Sequence, residues 1–147
     1  FFFNELVNEI VEEMQHTTKR HKIILQLAED VQVCADRERT GQVLVNFLTN
    51  AIKYSPDSAD IIVSTSRTAD HITVSVQDFG IGMSEEMQDK IFDRFFRVND
   101  AIAATYPGLG LGLYIAAEII KKQRGKIWVK SKKAEGSTFS FSLPIQC

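Results

Sequence analysis

The sequence predicts an α+β fold, a two-layer sandwich in which a mixed, mostly antiparallel sheet is covered on one face by helices. Three segments carry apolar residues at helical spacing, and several shorter segments alternate apolar with polar residues. Helices and strands follow one another in a segregated order along the chain. That order favours two layers and a sheet that is mixed or mostly antiparallel.

The predicted helices follow from apolar residues spaced three and four apart. The first covers about residues 4–19. A second runs from Asp36, whose side chain can cap it, to about Tyr54. A short helix is predicted over about 85–92 and a longer one over 113–123.

The predicted strands are short and alternate apolar with polar positions. Turn-forming residues separate several of them, as in the loop 55–58 and the turn 68–70. Strands are expected at 23–27, at 31–35, from 61–63 onward, at 72–76, at 128–131 and at 139–143.

Length and composition narrow the class of protein. The chain has 147 residues, and we expect residues 1–147 to form a single domain. The net charge of -2 gives no basic stripe for nucleic acid. The apolar runs are far shorter than the ~20 residues of a membrane span. Cys34 and Cys147 are expected to be free thiols in a reducing cytoplasm.

The first candidate motif is Asp78-Phe79-Gly80-Ile81-Gly82, at the end of a predicted strand. A buried carboxylate there could accept a hydrogen bond from an exocyclic amine. Glycines just after it would let the backbone approach a flat ring, because they have no Cβ. An ordinary turn is the alternative interpretation.

The second motif is Gly108-Leu109-Gly110-Leu111-Gly112, directly before a predicted helix. Backbone N–H groups in such a loop, together with the helix N-terminus, favour phosphate binding. The spacing matches neither the dinucleotide fingerprint nor a P-loop. A flexible loop without a ligand is the alternative.

The third motif lies on the second predicted helix, where Asn46, Asn50, Lys53 and Tyr54 share one face. Amide oxygens suit a Mg²⁺ ion that phosphates already partly coordinate. Lys53 adds a point charge for phosphate. A solvated polar face would explain any one of these residues, but the four together favour a binding site.

These three motifs, in this order, resemble the N, G1 and G2 boxes of the GHKL superfamily of ATPases and kinases. Residues 91–97 resemble the F box of sensor histidine kinases, and residues 136–139 are similar to the family's short glycine motif before the last strand. The resemblance covers nearly the whole chain. It implies the GHKL fold and the ATP-binding catalytic domain of a bacterial sensor histidine kinase, with ATP and Mg²⁺ as cofactors.

The resemblance also implies roles for single residues at the base and the metal. Asp78 would bind the adenine amino group, and Gly80 and Gly82 would shape that pocket. Asn50 would ligate Mg²⁺, and Tyr54 would line the nucleotide site.

Further roles are implied at the phosphates, where Asn46, Lys53 and Arg97 are the candidate catalytic residues. Asn46 would lie beside the metal ligand, Lys53 would face the phosphates, and Arg97 would reach towards the terminal phosphate. The segment Gly108-Leu109-Gly110-Leu111-Gly112 would wrap the phosphates, following a mobile lid over about 98–108.

Asn46 separates two branches of the superfamily. Relatives that hydrolyse ATP carry a glutamate four residues before the metal-binding asparagine, and an asparagine cannot remove a proton at neutral pH. The chain is therefore expected to deliver the γ-phosphate to a group supplied elsewhere. A GHKL-type ATPase or serine kinase remains the alternative, and so does a nucleotide-binding interaction module without catalysis.

The resemblance places the acceptor histidine in a preceding helical hairpin that dimerises. The sequence contexts of His16, His21 and His71 do not match the acceptor pattern. We therefore expect the chain to lack that hairpin, to be a cytoplasmic monomer and not to phosphorylate itself. Its expected partners are the histidine-bearing domain of the same parent protein and a downstream response regulator, with no nucleic acid and no direct membrane contact.

Overall fold

The computed structural model describes residues 1–55, 59–93 and 109–145. Its helices are α1 (Phe3–Thr17), α2 (Arg37–Tyr54), α3 (Glu85–Lys90) and α4 (Leu109–Lys122). Its strands are β1 (Ile23–Gln26), β2 (Ile61–Arg67), β3 (His71–Gln77), β4 (Lys126–Lys132) and β5 (Gly136–Pro144). None of these helices is both long enough and apolar enough to cross a bilayer.

The five strands form one sheet in the order β1-β2-β3-β5-β4. β1 and β2 run parallel, and every other neighbouring pair runs antiparallel. The predicted mixed, mostly antiparallel sheet is therefore confirmed. Gln77, the last residue of β3, lies opposite Thr138 near the start of β5. The residues that follow β3 consequently lie beside the first residues of β5.

Helices pack on one face of this sheet, as the sequence predicted. Alternate residues of β3 are buried, which is the pattern of a strand with one face in the core. The ring of Phe47 on α2 has its centre 5.5 Å from that of Phe139 and 5.9 Å from that of Phe141, both on β5. On the opposite face, the hydroxyl oxygens of Ser75 and Ser140 lie 2.7 Å apart. The core thus ties α2 to the strand that borders β3.

The start of α2 is set by the predicted cap. The side chain of Asp36 accepts a hydrogen bond from the N–H of Arg39 at 3.0 Å. Such a cap satisfies one of the N–H groups that a helix end leaves without an internal partner. Burial of Val43, Phe47 and Ala51 against the core then turns Asn46 and Asn50 to a different side of the helix.

The segment 31–35 does not join the sheet, so the prediction of a strand there is wrong. It pairs instead with the beginning of the chain. The N–H of Val33 donates to the carbonyl of Phe1 at 2.7 Å, and the N–H of Phe3 donates to the carbonyl of Val31 at 3.0 Å. An alternating pattern indicates extended backbone, but it does not say which segment will be the partner.

Three helix boundaries also differ from the prediction. α1 ends at Thr17 and α3 ends at Lys90, each two residues early. α4 begins at Leu109, four residues before the predicted start at Leu113. The last difference matters for function, because it places Gly110 and Gly112 inside the first turns of a helix and not in a loop.

The state of Cys34 also differs from the prediction. It is exposed and disulfide-bonded, so the prediction of a free thiol at this position is wrong. Cys147 lies outside the described residues. The alternating pattern around Cys34 indicates only extended backbone and carries no signal for a covalent bond.

Candidate nucleotide-binding site

Among the residues that the structure describes, Asp78 is the one buried acid, and it follows β3 directly. The residue is 6% exposed. Its Oδ1 accepts hydrogen bonds from the N–H of Gly80 at 2.9 Å and from the N–H of Ser137 at 3.2 Å. Within the described part of the chain, Oδ2 has no hydrogen-bond partner and the carboxylate has no cation within ion-pair distance. One oxygen is therefore held by the backbone, and the other can accept from a ligand.

The environment of Asp78 shifts its protonation equilibrium. Burial raises the pKa of the carboxyl above its ordinary value, and the hydrogen bonds from Gly80 and Ser137 lower it in part. A carboxylate in this position gains from a donor that approaches Oδ2, because a hydrogen bond to the charged form offsets the cost of burial.

A narrow pocket opens in front of Asp78. Asn50, Tyr54, Asp78 and Ser137 contribute its polar lining, and Met83 and Phe139 contribute apolar walls. Its volume of about 10 Å³ is room for about one water molecule. A purine ring would therefore have to part these side chains in order to enter. One face of α2 carries Asn46 and Asn50 and is called its amide face. Asn50 on this face and Asp78 at the end of β3 nevertheless meet in this single pocket.

Gly80 and Gly82 have packing reasons to be glycine. A Cβ on Gly80 would overlap the carbonyl oxygen of Tyr54 at the end of α2. Gly82 has a φ of +68° and lies against the carbonyl of Lys132 on β4. The two glycines therefore bring the loop after Asp78 close to α2 on one side and to β4 on the other. Gly82 also lines the pocket.

The amide face of α2 is arranged as the helical spacing predicted. Asn50 donates from Nδ2 to Oδ1 of Asn46 at 3.4 Å. That bond leaves the carbonyl oxygen of Asn50 without a hydrogen-bond partner in the described residues. Lys53 is exposed, with its Nζ 5.9 Å from the ring centre of Tyr54. Burial raises the pKa of the half-buried Tyr54 phenol.

Asn46 faces α4 as well as Asn50. A Cβ on Gly112 would overlap the Nδ2 of Asn46, so glycine at this position lets the Asn46 amide lie against the backbone of α4. A cavity of about 150 Å³ lies beside this contact, lined by Asn46, Gly112 and Ile115 among others. The glycine segment therefore lies against the amide face of α2 at Gly112.

The glycine segment itself differs from a loop. Because α4 begins at Leu109, the N–H groups of Leu109, Gly110, Leu111 and Gly112 are the first four of a helix. Those four groups have no partner inside a helix, and they carry its partial positive charge. Gly108, Arg97 and the expected lid at 98–108 lie outside the described residues. The predicted roles of the site residues stay predictions.

Ser137, Ser131 and Gln88 are polar residues near the pocket that the sequence reasoning did not single out as site residues. The hydroxyl oxygens of Ser131 and Ser137 lie 2.7 Å apart. The Gln88 side chain on α3 bonds to both the N–H and the carbonyl of Ser131. Serines in an alternating strand carry no sequence signal for such a network, since only the sheet register brings these residues together.

A two-layer fold with an acid and an amide-bearing helix at one pocket is the arrangement that the sequence predicts for a nucleotide-binding domain. A family profile described as "Histidine kinase-, DNA gyrase B-, and HSP90-like ATPase" matches residues 35–146. The chain belongs to this family.

Within this family, the individual proteins that are similar to the chain are sensor histidine kinases. The chain is 40% identical over 148 residues to the adaptive-response sensory kinase SasA of Crocosphaera subtropica (strain ATCC 51142 / BH68), covering 98% of this chain and 38% of that protein. It is 36% identical over 141 residues to the sensor histidine kinase WalK of Bacillus subtilis (strain 168), covering 93% of this chain and 23% of that protein. The chain therefore spans two fifths or less of the length of these relatives.

A solved structure of a histidine kinase domain is also similar to this chain. The catalytic domain of the histidine kinase ThkA superposes with a TM-score of 0.85 at 31% identity, covering 99% of this chain and 94% of that one. The predicted fold and the predicted family are confirmed.

Proposed function

We propose that this chain binds Mg-ATP and delivers the γ-phosphate to a histidine on a separate dimerisation domain. One observation carries the proposal: Asp78, with a carboxylate oxygen uncommitted, shares a pocket with Asn50 on the amide face of α2. A single cavity thereby offers an acceptor for a base and an oxygen for a metal ion.

At the base end, Asp78 accepts a hydrogen bond from the adenine amino group through Oδ2. Its other oxygen is already held by two backbone N–H groups, so the side chain loses little rotational freedom when the base binds. Tyr54 and Phe139 supply apolar surface against the ring. Gly80 and Gly82 contribute by allowing the loop to pack where it does.

At the metal end, Asn50 supplies an amide oxygen to Mg²⁺. The described residues contain no group of three or more His, Cys, Asp or Glu side chains that could hold a metal ion. The ion would therefore be coordinated mainly by ATP phosphates and water, which is the usual arrangement for Mg²⁺. Bound Mg²⁺ supplies charge neutralisation to the transferred phosphoryl group.

At the phosphates, the first N–H groups of α4 belong to the turn of the helix in which Gly112 contacts Asn46. Their partial positive charge suits phosphate oxygens. Lys53 adds a full charge from α2. Roles for Gly108 and for Arg97 at the terminal phosphate rest on the family resemblance alone.

Asn46 argues for transfer over hydrolysis. Its Oδ1 accepts from Asn50 and its amide group cannot take a proton from water. The phosphoryl group then needs an acceptor from outside the site. The relatives are sensor kinases, and ThkA has been solved in complex with the response regulator TrrA. We propose the matching partners here, with residues 1–147 as a single cytoplasmic catalytic domain that is monomeric on its own.

Titration calorimetry tests the binding step. We expect ATP to bind, and to bind more tightly with Mg²⁺ than without it. No binding of ATP under either condition would contradict the proposal.

A labelling experiment tests the transfer step. The chain is incubated with γ-labelled ATP, alone and with the histidine-bearing dimerisation domain of its parent protein. Acid-labile label is expected on the added domain only, since His16, His21 and His71 do not match the acceptor pattern. Steady ATP turnover without the acceptor would instead favour an ATPase, and binding with neither turnover nor transfer would favour an interaction module.

A further inference from the structure

A hydroxyl network lies behind the wall of the candidate pocket, and its centre is Ser131 on β4. The Oγ of Ser131 lies 2.8 Å from the N–H of Met83, 2.9 Å from the carbonyl oxygen of Gly136 and 2.7 Å from the Oγ of Ser137. Met83 and Ser137 both line the pocket. Ser131 therefore contacts two lining residues without lining the pocket itself.

The donors and acceptors around Ser131 determine where the hydrogens lie. A serine hydroxyl has one hydrogen to donate and can accept two. The Met83 contact supplies a hydrogen, and the Gly136 carbonyl can only accept one. The Ser131 hydrogen must therefore point to Gly136. The remaining 2.7 Å contact then has a hydrogen only if Ser137 donates to Ser131. In the opposite arrangement, Ser131 and the Gly136 carbonyl would face each other as two oxygens with no hydrogen between them.

Gln88 holds Ser131 in this position from α3. Its Nε2 donates to the carbonyls of Met83 at 3.1 Å and Ser131 at 2.9 Å, and its Oε1 accepts from the N–H of Ser131 at 3.1 Å. The side-chain amide thus pairs with the free edge of β4 as a neighbouring strand would. These three hydrogen bonds fix Ser131 and the loop at Met83 relative to each other.

From this geometry we infer that Ser131 is a positioning residue that sets the base specificity of the pocket. With its hydrogen directed to Ser131, Ser137 presents only lone pairs to a ligand. Asp78 likewise presents only an acceptor through Oδ2. The polar end of the pocket then offers acceptors alone, which matches an exocyclic amino group with its two N–H donors and disfavours a carbonyl at the same position. The inference rests on the proposed function and deepens it: it assigns to Ser131, which lies outside the pocket, a part in the preference for an exocyclic amino group over a carbonyl.

The test measures the ratio of ATP affinity to GTP affinity by titration calorimetry. In Ser131→Ala the Ser137 hydroxyl loses its acceptor and can turn towards the ligand, where it can donate to the carbonyl of GTP. We expect the ratio to fall about 3- to 10-fold, the value of one neutral hydrogen bond. Ser131→Thr keeps the hydroxyl and should keep the wild-type ratio. A merely structural role would weaken both nucleotides alike and leave the ratio unchanged.

Ser75→Ala is the matched control, because Ser75 is also a strand serine whose hydroxyl lies 2.7 Å from another serine hydroxyl, that of Ser140. It should leave the ratio unchanged. Thermal unfolding of each variant shows that it folds, and Ser131→Cys, a weaker acceptor of similar size, replaces the alanine variant if that one does not.

Two results separate the possible failures. A ratio within twofold of wild type in Ser131→Ala or Ser131→Cys, with ATP still bound, overturns the inference and leaves the proposed function standing. A wild-type chain that binds no ATP, or binds ATP and GTP equally, overturns the adenine site together with the inference.

Discussion

The two ends of the candidate site are built by different kinds of contact. At the base end, Asp78 and Ser137 are joined by backbone and side-chain hydrogen bonds that cross between distant parts of the chain. At the metal end, the described contacts are one 3.4 Å hydrogen bond between Asn50 and Asn46 and the close approach of Asn46 to Gly112. The acceptors of the base end are thus held in place before any ligand arrives, although the side chains around them must part for the ring. The metal end depends more on the ligand.

This difference has an energetic consequence. Preorganised acceptors give selectivity at little cost in ordering when the ligand binds. A metal ion bridging phosphates can instead draw a loosely held amide into place, because most of its ligands come with the nucleotide. Changes at the base end should therefore affect fold stability and base selectivity, and changes at the metal end should affect Mg²⁺ dependence with little loss of stability.

The largest expected effect is that of Gly82→Ala, which would disrupt the packing of the base end. Its φ of +68° disfavours any side chain, and the new Cβ would overlap the backbone of Lys132. We expect the free energy of unfolding to fall by about 2–4 kcal/mol, or roughly 5–15 °C in melting temperature. Gly41→Ala is the control, because a Cβ there meets only side chains at ordinary distances. An equal loss in both variants would contradict the prediction.

Asp78→Asn, at the same end of the site, should weaken the binding of ATP. Loss of a charge-assisted hydrogen bond costs about 1.5–3 kcal/mol, so ATP should bind roughly 10- to 100-fold more weakly. Calorimetry measures this change. Unchanged affinity would remove Asp78 from the adenine pocket.

The buried carboxyl of Asp78 also predicts a pH dependence of stability, and the same variant tests it. Burial raises the pKa of Asp78 in the folded chain, so the folded state holds the proton more tightly than the unfolded state. Wild type should therefore lose stability relative to Asp78→Asn as the pH rises from the carboxyl's unfolded pKa through its folded pKa. Melting temperatures of both chains, measured from acid towards neutral pH, should diverge in favour of the asparagine variant. Convergence towards neutral pH would show the opposite sign.

Asn50→Ala acts at the metal end. It removes the amide oxygen without opening the core, since Asn50 is only half-buried. In this variant, adding Mg²⁺ should no longer raise the affinity for ATP. The lost gain is on the order of tenfold, the value of one charge-assisted contact. Binding of ADP without metal should stay largely unchanged, which serves as the internal control. A variant that keeps its Mg²⁺ response would exclude Asn50 as the ligand.

Gly112→Ala should have the smallest effect on stability. The new Cβ would meet the end of the Asn46 side chain, which can rotate away, and alanine favours a helix by about 1 kcal/mol over glycine. Melting should therefore change little. ATP affinity should fall a few-fold, because Asn46 and Asn50 would lose their arrangement. A loss of stability as large as that of Gly82→Ala would show that both ends are built alike.

Part of the site could be read from single residues. The cap at Asp36 and the shared face of Asn46 and Asn50 follow from helical geometry, which is local and periodic. The likeness of residues 91–97 to the F box could also be read directly, although Arg97 lies outside the described residues. The start of α4 was misplaced because glycines reduce helix propensity. Gly112 nevertheless lies within α4, against Asn46 of α2.

The fold class, the family and the helix face that carries the amides follow from the kinds of residue and their spacing along the chain. The pairing of segment 31–35 with the N-terminus, the need for glycine at Gly80 and Gly82, and the contact between the hydroxyls of Ser131 and Ser137 emerge only in the folded molecule. Those features depend on the register of the sheet and the packing of loops. Residues far apart in sequence meet there, and no local pattern encodes their partners.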